Sequence, residues 1–136
     1  MEDRWFLAVV TEDEDYFIDM HSIQEENNFL EVIIKETLKS ESAKKRENDF
    51  IKSKINEEIN LDHSLWKWRF NPKNMTYTIL TIGYFDSEGR LLLNMKSDEN
   101  DLHWEEIEPD TTAESIFEAV KDVMQNKPAK SEDFDL

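Results

Sequence analysis

Between residues 65 and 124 the chain sets out strand, turn, strand, turn, strand, crossing segment and amphipathic helix, an order that leaves few architectures open. Trp66, Trp68 and Phe70 alternate with Lys67 and Arg69, the period-two signature of a strand with one apolar face. Asn71-Pro72-Lys73-Asn74 follows as a hairpin turn, with Pro72 suited to the second position of a type I turn. Residues 75–85, dense in Tyr, Thr and Ile, form the longest strand candidate. Asp86-Ser87-Glu88-Gly89 reverses the chain again. Gly89 stands where a left-handed residue completes a type I turn with a bulge, ahead of a strand over 90–95. Loops this short force antiparallel neighbours, so the sheet is expected to meander.

The helix that closes the order is marked at its start. Residues 104–110 read as an irregular crossing segment. Thr111-Thr112-Ala113-Glu114 then matches a capping box, in which the Thr111 hydroxyl takes a free amide and Glu114 reaches back. Ile116, Phe117, Val120, Val123 and Met124 recur at helical spacing, a stripe fit to cover one face of the sheet.

The first half adds strands and one excursion. Residues 4–10 are nearly continuously apolar and predict a strand buried on both faces. The polar run Glu12-Asp13-Glu14-Asp15 breaks it as a turn. Residues 16–23 alternate, placing Tyr16, Ile18 and Met20 on one face of a strand in a hairpin with the first. Residues 24–28 are the next turn, and Leu30, Val32 and Ile34 share a face of a strand over 29–38. From 40 to 60 charge density rises, and Ile51, Ile55 and Ile59 recur every four residues beside Phe50. This predicts an inserted surface helix with a narrow apolar stripe, Ser42 being a candidate cap. The fold expectation is therefore α+β: an antiparallel sheet of about six meandering strands, one inserted charged helix, and a C-terminal helix packed on the sheet. The chain's 136 residues suit one domain, expected over 1–126, with a flexible polar tail at 127–136.

Composition removes several function classes. Thirty-two acidic against 16 basic side chains give a net charge of −16, a field that repels nucleic acid and anionic membranes and attracts basic partners. With no cysteine there is no disulfide, thiolate nucleophile or cysteine metal site. His21, His63 and His103 have no second His or Glu at helical zinc spacing, and the acidic runs lack the ligand order of a calcium loop. The two glycines, Gly83 and Gly89, cannot build a phosphate loop, and no serine sits in a nucleophile elbow. No catalytic, cofactor or metal residues are assigned. The residues offered for partner binding are the aromatic set Trp66, Trp68 and Phe70, and the acidic run Glu12, Asp13, Glu14 and Asp15. The N-terminus shows no basic and apolar leader. The sequence as it stands reads as cytoplasmic, and as extracellular if an export signal has been removed.

A family resemblance runs through most of the chain. Trp5, then Tyr16-Phe17-Ile18-Asp19 with Ser22-Ile23, then Tyr84-Phe85-Asp86-Ser87-Glu88-Gly89, then Trp104 with Ile107-Glu108-Pro109-Asp110-Thr111 before a helix, resembles the surface-adhesin protein E family. The match leaves out residues 40–62 and the tail. The resemblance implies an antiparallel sheet crossed by a C-terminal helix, and no catalytic residues. It also implies structural duties: Gly89 for the turn, Trp5 and Trp104 for the core, Pro109 for a rigid lead-in to the helix. Family members include secreted adhesins that bind host matrix and plasma proteins, some of them as dimers, so a protein partner and a homodimer are both implied. Three features depart from the family: no signal peptide, no cysteines, and the charged helix near 42–59. The function expected is a non-enzymatic binding domain acting by protein–protein contact. Its rivals are an intracellular acidic inhibitor, either an immunity protein or a nucleic-acid mimic blocking a basic partner, and a carboxylate enzyme site beside Trp66 and Trp68.

Overall fold

The computed structural model describes residues 4–125. The expected tail at 127–136 lies outside the described residues. Strands β1 (Trp5–Val10), β2 (Glu14–Asp19), β3 (Gln24–Glu26) and β4 (Phe29–Leu38) precede helix α1 (Glu41–Ile55). Strands β5 (Leu61–Asn71), β6 (Thr76–Asp86), β7 (Leu91–Lys96) and β8 (Glu105–Glu106) precede helix α2 (Thr112–Gln125). The antiparallel sheet runs β1-β2-β4-β5-β6-β7, a meander, with β3 added beside β4 and β8 beside β6. The six expected strands are thus joined by two short ones. Residues 24–28 supply β3 and a two-residue turn, in which Asn27 and Asn28 take φ of 53° and 70°. Asparagine tolerates that left-handed pair, which matches the strand twist. The crossing segment supplies β8, and β5 begins four residues earlier than the aromatic alternation indicates.

Pairing fixes which side chains share a face. Ile18 opposes Ile34, Ile34 opposes Trp66, Val32 opposes Trp68, and Leu30 opposes Phe70. All point toward α2, whose Ile116, Phe117 and Val120 have essentially no exposed surface. The Phe117 ring lies 5.2 Å from that of Phe70. Burying each of these side chains contributes about 1.5–3 kcal/mol, which is what anchors a 14-residue helix to the sheet. The α2 cap forms as the capping box predicts, with one displacement. Thr111 Oγ1 accepts from Glu114 N at 3.2 Å, while the Glu114 carboxylate reaches to Asp110 N, one residue before the cap.

Helix α1 lies on the same face, at the other end of the strands. Its Phe50 ring is 6.2 Å from Tyr84, which pairs with Ser64 on the face shared by Trp66, Trp68 and Phe70. Only Ala43 and Ile51 of α1 are buried, in keeping with a narrow stripe. Its N-cap is Ser40 rather than Ser42: Ala43 N donates to Ser40 Oγ at 3.1 Å, and Ser42 already lies within the helix. At the C-cap Asn56 adopts the left-handed conformation and donates its N–H to Lys52 O.

Two further expectations are corrected. The apolar first strand is not buried on both faces. Among the described residues β1 forms an edge of the sheet, paired only with β2, and leaves Phe6, Leu7 and Val10 exposed. A long apolar run marks a strand but does not say how many neighbours it has. Trp5 and Trp104, implied as core by the resemblance, lie on the face of the sheet opposite the helices. Trp5 sits beneath Lys35 Nζ at 4.5 Å, and Trp104 stacks on Phe29 at 5.6 Å. Gly89 holds the expected left-handed turn, with φ of +81°.

Candidate functional site

Because the two helices cover opposite ends of one sheet face, the middle of that face stays open. A hollow of about 340 Å³ occupies the gap. Its floor is sheet: Tyr16 from β2, Ile34 and Glu36 from β4, Trp66 and Trp68 from β5, Tyr77 from β6. Its rim comes from Glu105, Glu106 and Glu108, and from Thr111, Thr112 and Ala113 at the start of α2. The floor exists because β5 alternates without interruption, so Ser64, Trp66, Trp68 and Phe70 all face the helices. Across from them β6 inserts Leu80 as a bulge, which keeps Tyr77 and Ile79 on that same face.

The polar contacts hold this floor in place. Trp66 Nε1 donates to Ser64 Oγ at 2.8 Å, and Ser64 Oγ lies 3.3 Å from Glu36 Oε1. Trp68 and Tyr77 stack at 4.8 Å and 15°. Trp68 Nε1 is buried with no hydrogen-bond partner among the described residues. Burial pushes the Glu36 carboxyl up from its ordinary value, and the nearby Glu14 and Glu47 add to that, against hydrogen bonds from Tyr16 and Ser64. Burial, then the charges of Glu36 and Glu14, likewise pushes the Tyr16 phenol up. Tyr84 is pushed up to about 12 by burial and by Glu47 and Glu36. Among the described residues no basic side chain lines the hollow, whereas four carboxylates do.

The residues offered from the sequence separate here. Trp66 and Trp68 line the hollow. Phe70 has no exposed surface and packs against Trp68, Tyr77 and Phe117, so a partner docked on this face does not reach it. The acidic run is no single patch. Glu12 is exposed at the hairpin turn, and the Asp13 carbonyl accepts from Lys39 N at 2.7 Å. Glu14 faces Tyr16 and Glu36, while Asp15 pairs with Lys39 Nζ at 2.9 Å. Sequence reasoning missed Glu36, Glu105, Glu106 and Glu108. Glu36 breaks the apolar alternation of its strand, and that was the one available signal; the other three are brought in by the crossing segment.

Other arrangements have less to offer. Among the described residues no three His, Asp or Glu side chains converge on a metal position. His63 pairs with Asp62 and stacks on Phe85, and His103 pairs with Glu105. A more polar hollow of about 480 Å³ lies between α1 and the start of β5, but Lys44 and Lys45 face Glu41 and Asp62 there, so it has no net preference for one sign of charge. Among the described residues no helix is long and apolar enough to cross a membrane.

Comparison with known proteins agrees with this geometry. The family described as Surface-adhesin protein E matches residues 5–120. The structure of Haemophilus influenzae protein E superposes with a TM-score of 0.56 at 16% identity, covering 93% of this chain and 87% of that one. Protein E from non-typeable Haemophilus influenzae gives 0.54 at 14% identity, covering 98% and 86%. Identities this low establish a shared fold. Sequence comparison with curated proteins gives no match.

Proposed function

The chain belongs to the surface-adhesin protein E family, and on that premise we propose that this surface-adhesin-like binding protein acts outside the cell, without catalysis, by protein–protein contact at the hollow between α1 and α2. The observation that carries the reading is the combination of a part-exposed aromatic floor and an acidic rim in which, among the described residues, Glu105 alone has a basic neighbour, His103. Trp66, Tyr16 and Tyr77 are left partly exposed in the concavity while Trp68 is buried. Part-exposed rings of this kind supply contact area at low conformational cost, the usual anchor of a protein interface. Rim charges of one sign select the partner and speed its arrival. The intracellular inhibitor reading gains nothing from the family match, and no catalytic constellation accompanies the carboxylates.

The test immobilises the full chain and presents a panel of extracellular matrix and plasma proteins, the class the family resemblance implies. Glu105, Glu106 and Glu108 are exposed, so their combined change to Gln leaves the fold intact, as circular dichroism and the unfolding midpoint will show. Capture by the native chain and its reduction in the triple variant are expected. Capture that ignores the variant, or none across the panel, would overturn the proposal.

A further inference from the structure

Resting on that reading, we infer that the hollow accepts the cationic side chain of an arginine or lysine on a basic segment of the partner protein. Its accessible walls are the part-exposed rings of Tyr16, Trp66 and Tyr77, with Trp68 buried and stacked on Tyr77, and ring faces attract a cation through their quadrupole. Glu36 lies on the floor and Glu105, Glu106 and Glu108 stand at the rim, with no lysine, arginine or histidine among the described lining residues. The α2 N-terminus also meets the hollow and by itself favours an anion. It carries only about half a positive charge, and Thr111 and Glu114 already take amides at that end. Against it stand four carboxylates, or three with Glu36 protonated, so the cation wins. A bare metal ion is a poor occupant, because among the described residues no three carboxylate or imidazole groups converge on one position. An arginine or lysine fits both halves of the site: its head meets the carboxylates, and its methylene stem lies along the indoles.

Four tryptophans make the test internal. Trp66 and Trp68 line the hollow, while Trp5 and Trp104 lie on the opposite face of the sheet. The full chain, labelled with nitrogen-15, is titrated with a seven-residue glycine–serine peptide carrying one central arginine, and the indole N–H resonances are followed. The control peptide carries citrulline, which keeps the shape and loses the charge. Saturable movement of the Trp66 and Trp68 signals, with a Kd on the order of 1 mM for so small a ligand, is expected. The citrulline peptide should leave them still, and each of Glu106→Gln and Glu108→Gln should weaken binding about two- to fivefold. Equal movement of all four indoles, equal response to citrulline, or no response would overturn the inference. So would tighter binding of tetramethylammonium chloride than of the arginine peptide, which would assign the hollow to a small free cation. A chain that captures a partner yet ignores the arginine peptide loses this inference and keeps the protein-binding reading. The reverse result removes the partner and keeps the cation site.

Discussion

Phe70 is the fully buried end of an aromatic stripe in which only Trp66 stays part-exposed, and replacing it with alanine tests its structural role. The ring has no exposed surface and touches three other rings, with centroids 5.2 Å from Phe117, 5.8 Å from Trp68 and 6.4 Å from Tyr77. Deleting a fully buried Phe costs about 3–5 kcal/mol, the lost transfer energy plus the void it leaves. For a protein of this size each kcal/mol lowers the midpoint by about 3–5 °C, so Phe70→Ala should melt about 10–20 °C early. Trp66→Ala removes a part-exposed ring and one hydrogen bond to Ser64, and should cost only about 1–2 kcal/mol. Urea unfolding followed by circular dichroism measures both, with the slope checked for constancy. Phe117→Ala completes a cycle. Because the two rings pack on each other, the double variant should lose about 0.5–1.5 kcal/mol less than the sum of the singles. A Phe70→Ala loss no larger than that of Trp66→Ala, or strict additivity with Phe117→Ala, would show that the ring does not join α2 to the sheet.

The pH response of Glu36 has a definite sign. A carboxyl whose folded value is raised holds its proton longer in the folded state, so the group favours folding below its ordinary value of 4.5 and that advantage is lost as pH rises through the raised value. Glu36→Gln should therefore unfold at neutral pH no more easily than the native chain and lose less stability than it as pH is raised through the mildly acidic range; a larger loss in the variant on raising pH would contradict the burial argument. For the α1 cap, Ser40→Ala should cost about 1 kcal/mol while Ser42→Ala stays within a few tenths, read from urea midpoints. The reverse order would return the cap to Ser42.

Much of this fold was written locally. Alternation marked β4 and β5, four-residue spacing marked α1, and the Thr111–Glu114 pair marked the start of α2. Gly89 marked its turn because its left-handed conformation has a single inexpensive residue. What the chain did not reveal depends on neighbours far away in sequence. Whether Trp5 to Val10 lies inside the sheet or at its edge is decided by whether another strand pairs beyond it, and none does among the described residues. Trp5 and Trp104 look like core residues by type, yet no helix covers their face. The hollow is legible only halfway: Trp66 and Trp68 stand out, but their acidic neighbours arrive through strand register and through a segment 40 residues later. Glu36 meets Tyr16 and Ser64 across two strand boundaries, a juxtaposition that no local pattern encodes.

The uncovered face of the sheet has a bearing on how a partner arrives. Lys35, Lys67, Arg69 and Lys96 share that face by register, but Glu31 pairs with both Lys67 and Arg69 and Glu99 with Arg69, so on a molecule of net charge −16 much of that positive charge is neutralised. The carboxylates of the hollow lie on the side away from them. An acidic hollow opposite this less acidic face gives the molecule an electric dipole, and a dipole exerts torque on an approaching charged body before any atoms touch. A basic partner drifting in would be turned toward the hollow, so fewer of its collisions would be wasted on the wrong side. The arrangement thus governs the speed of encounter and the orientation at first contact, a rate that added salt slows by shortening the reach of the field.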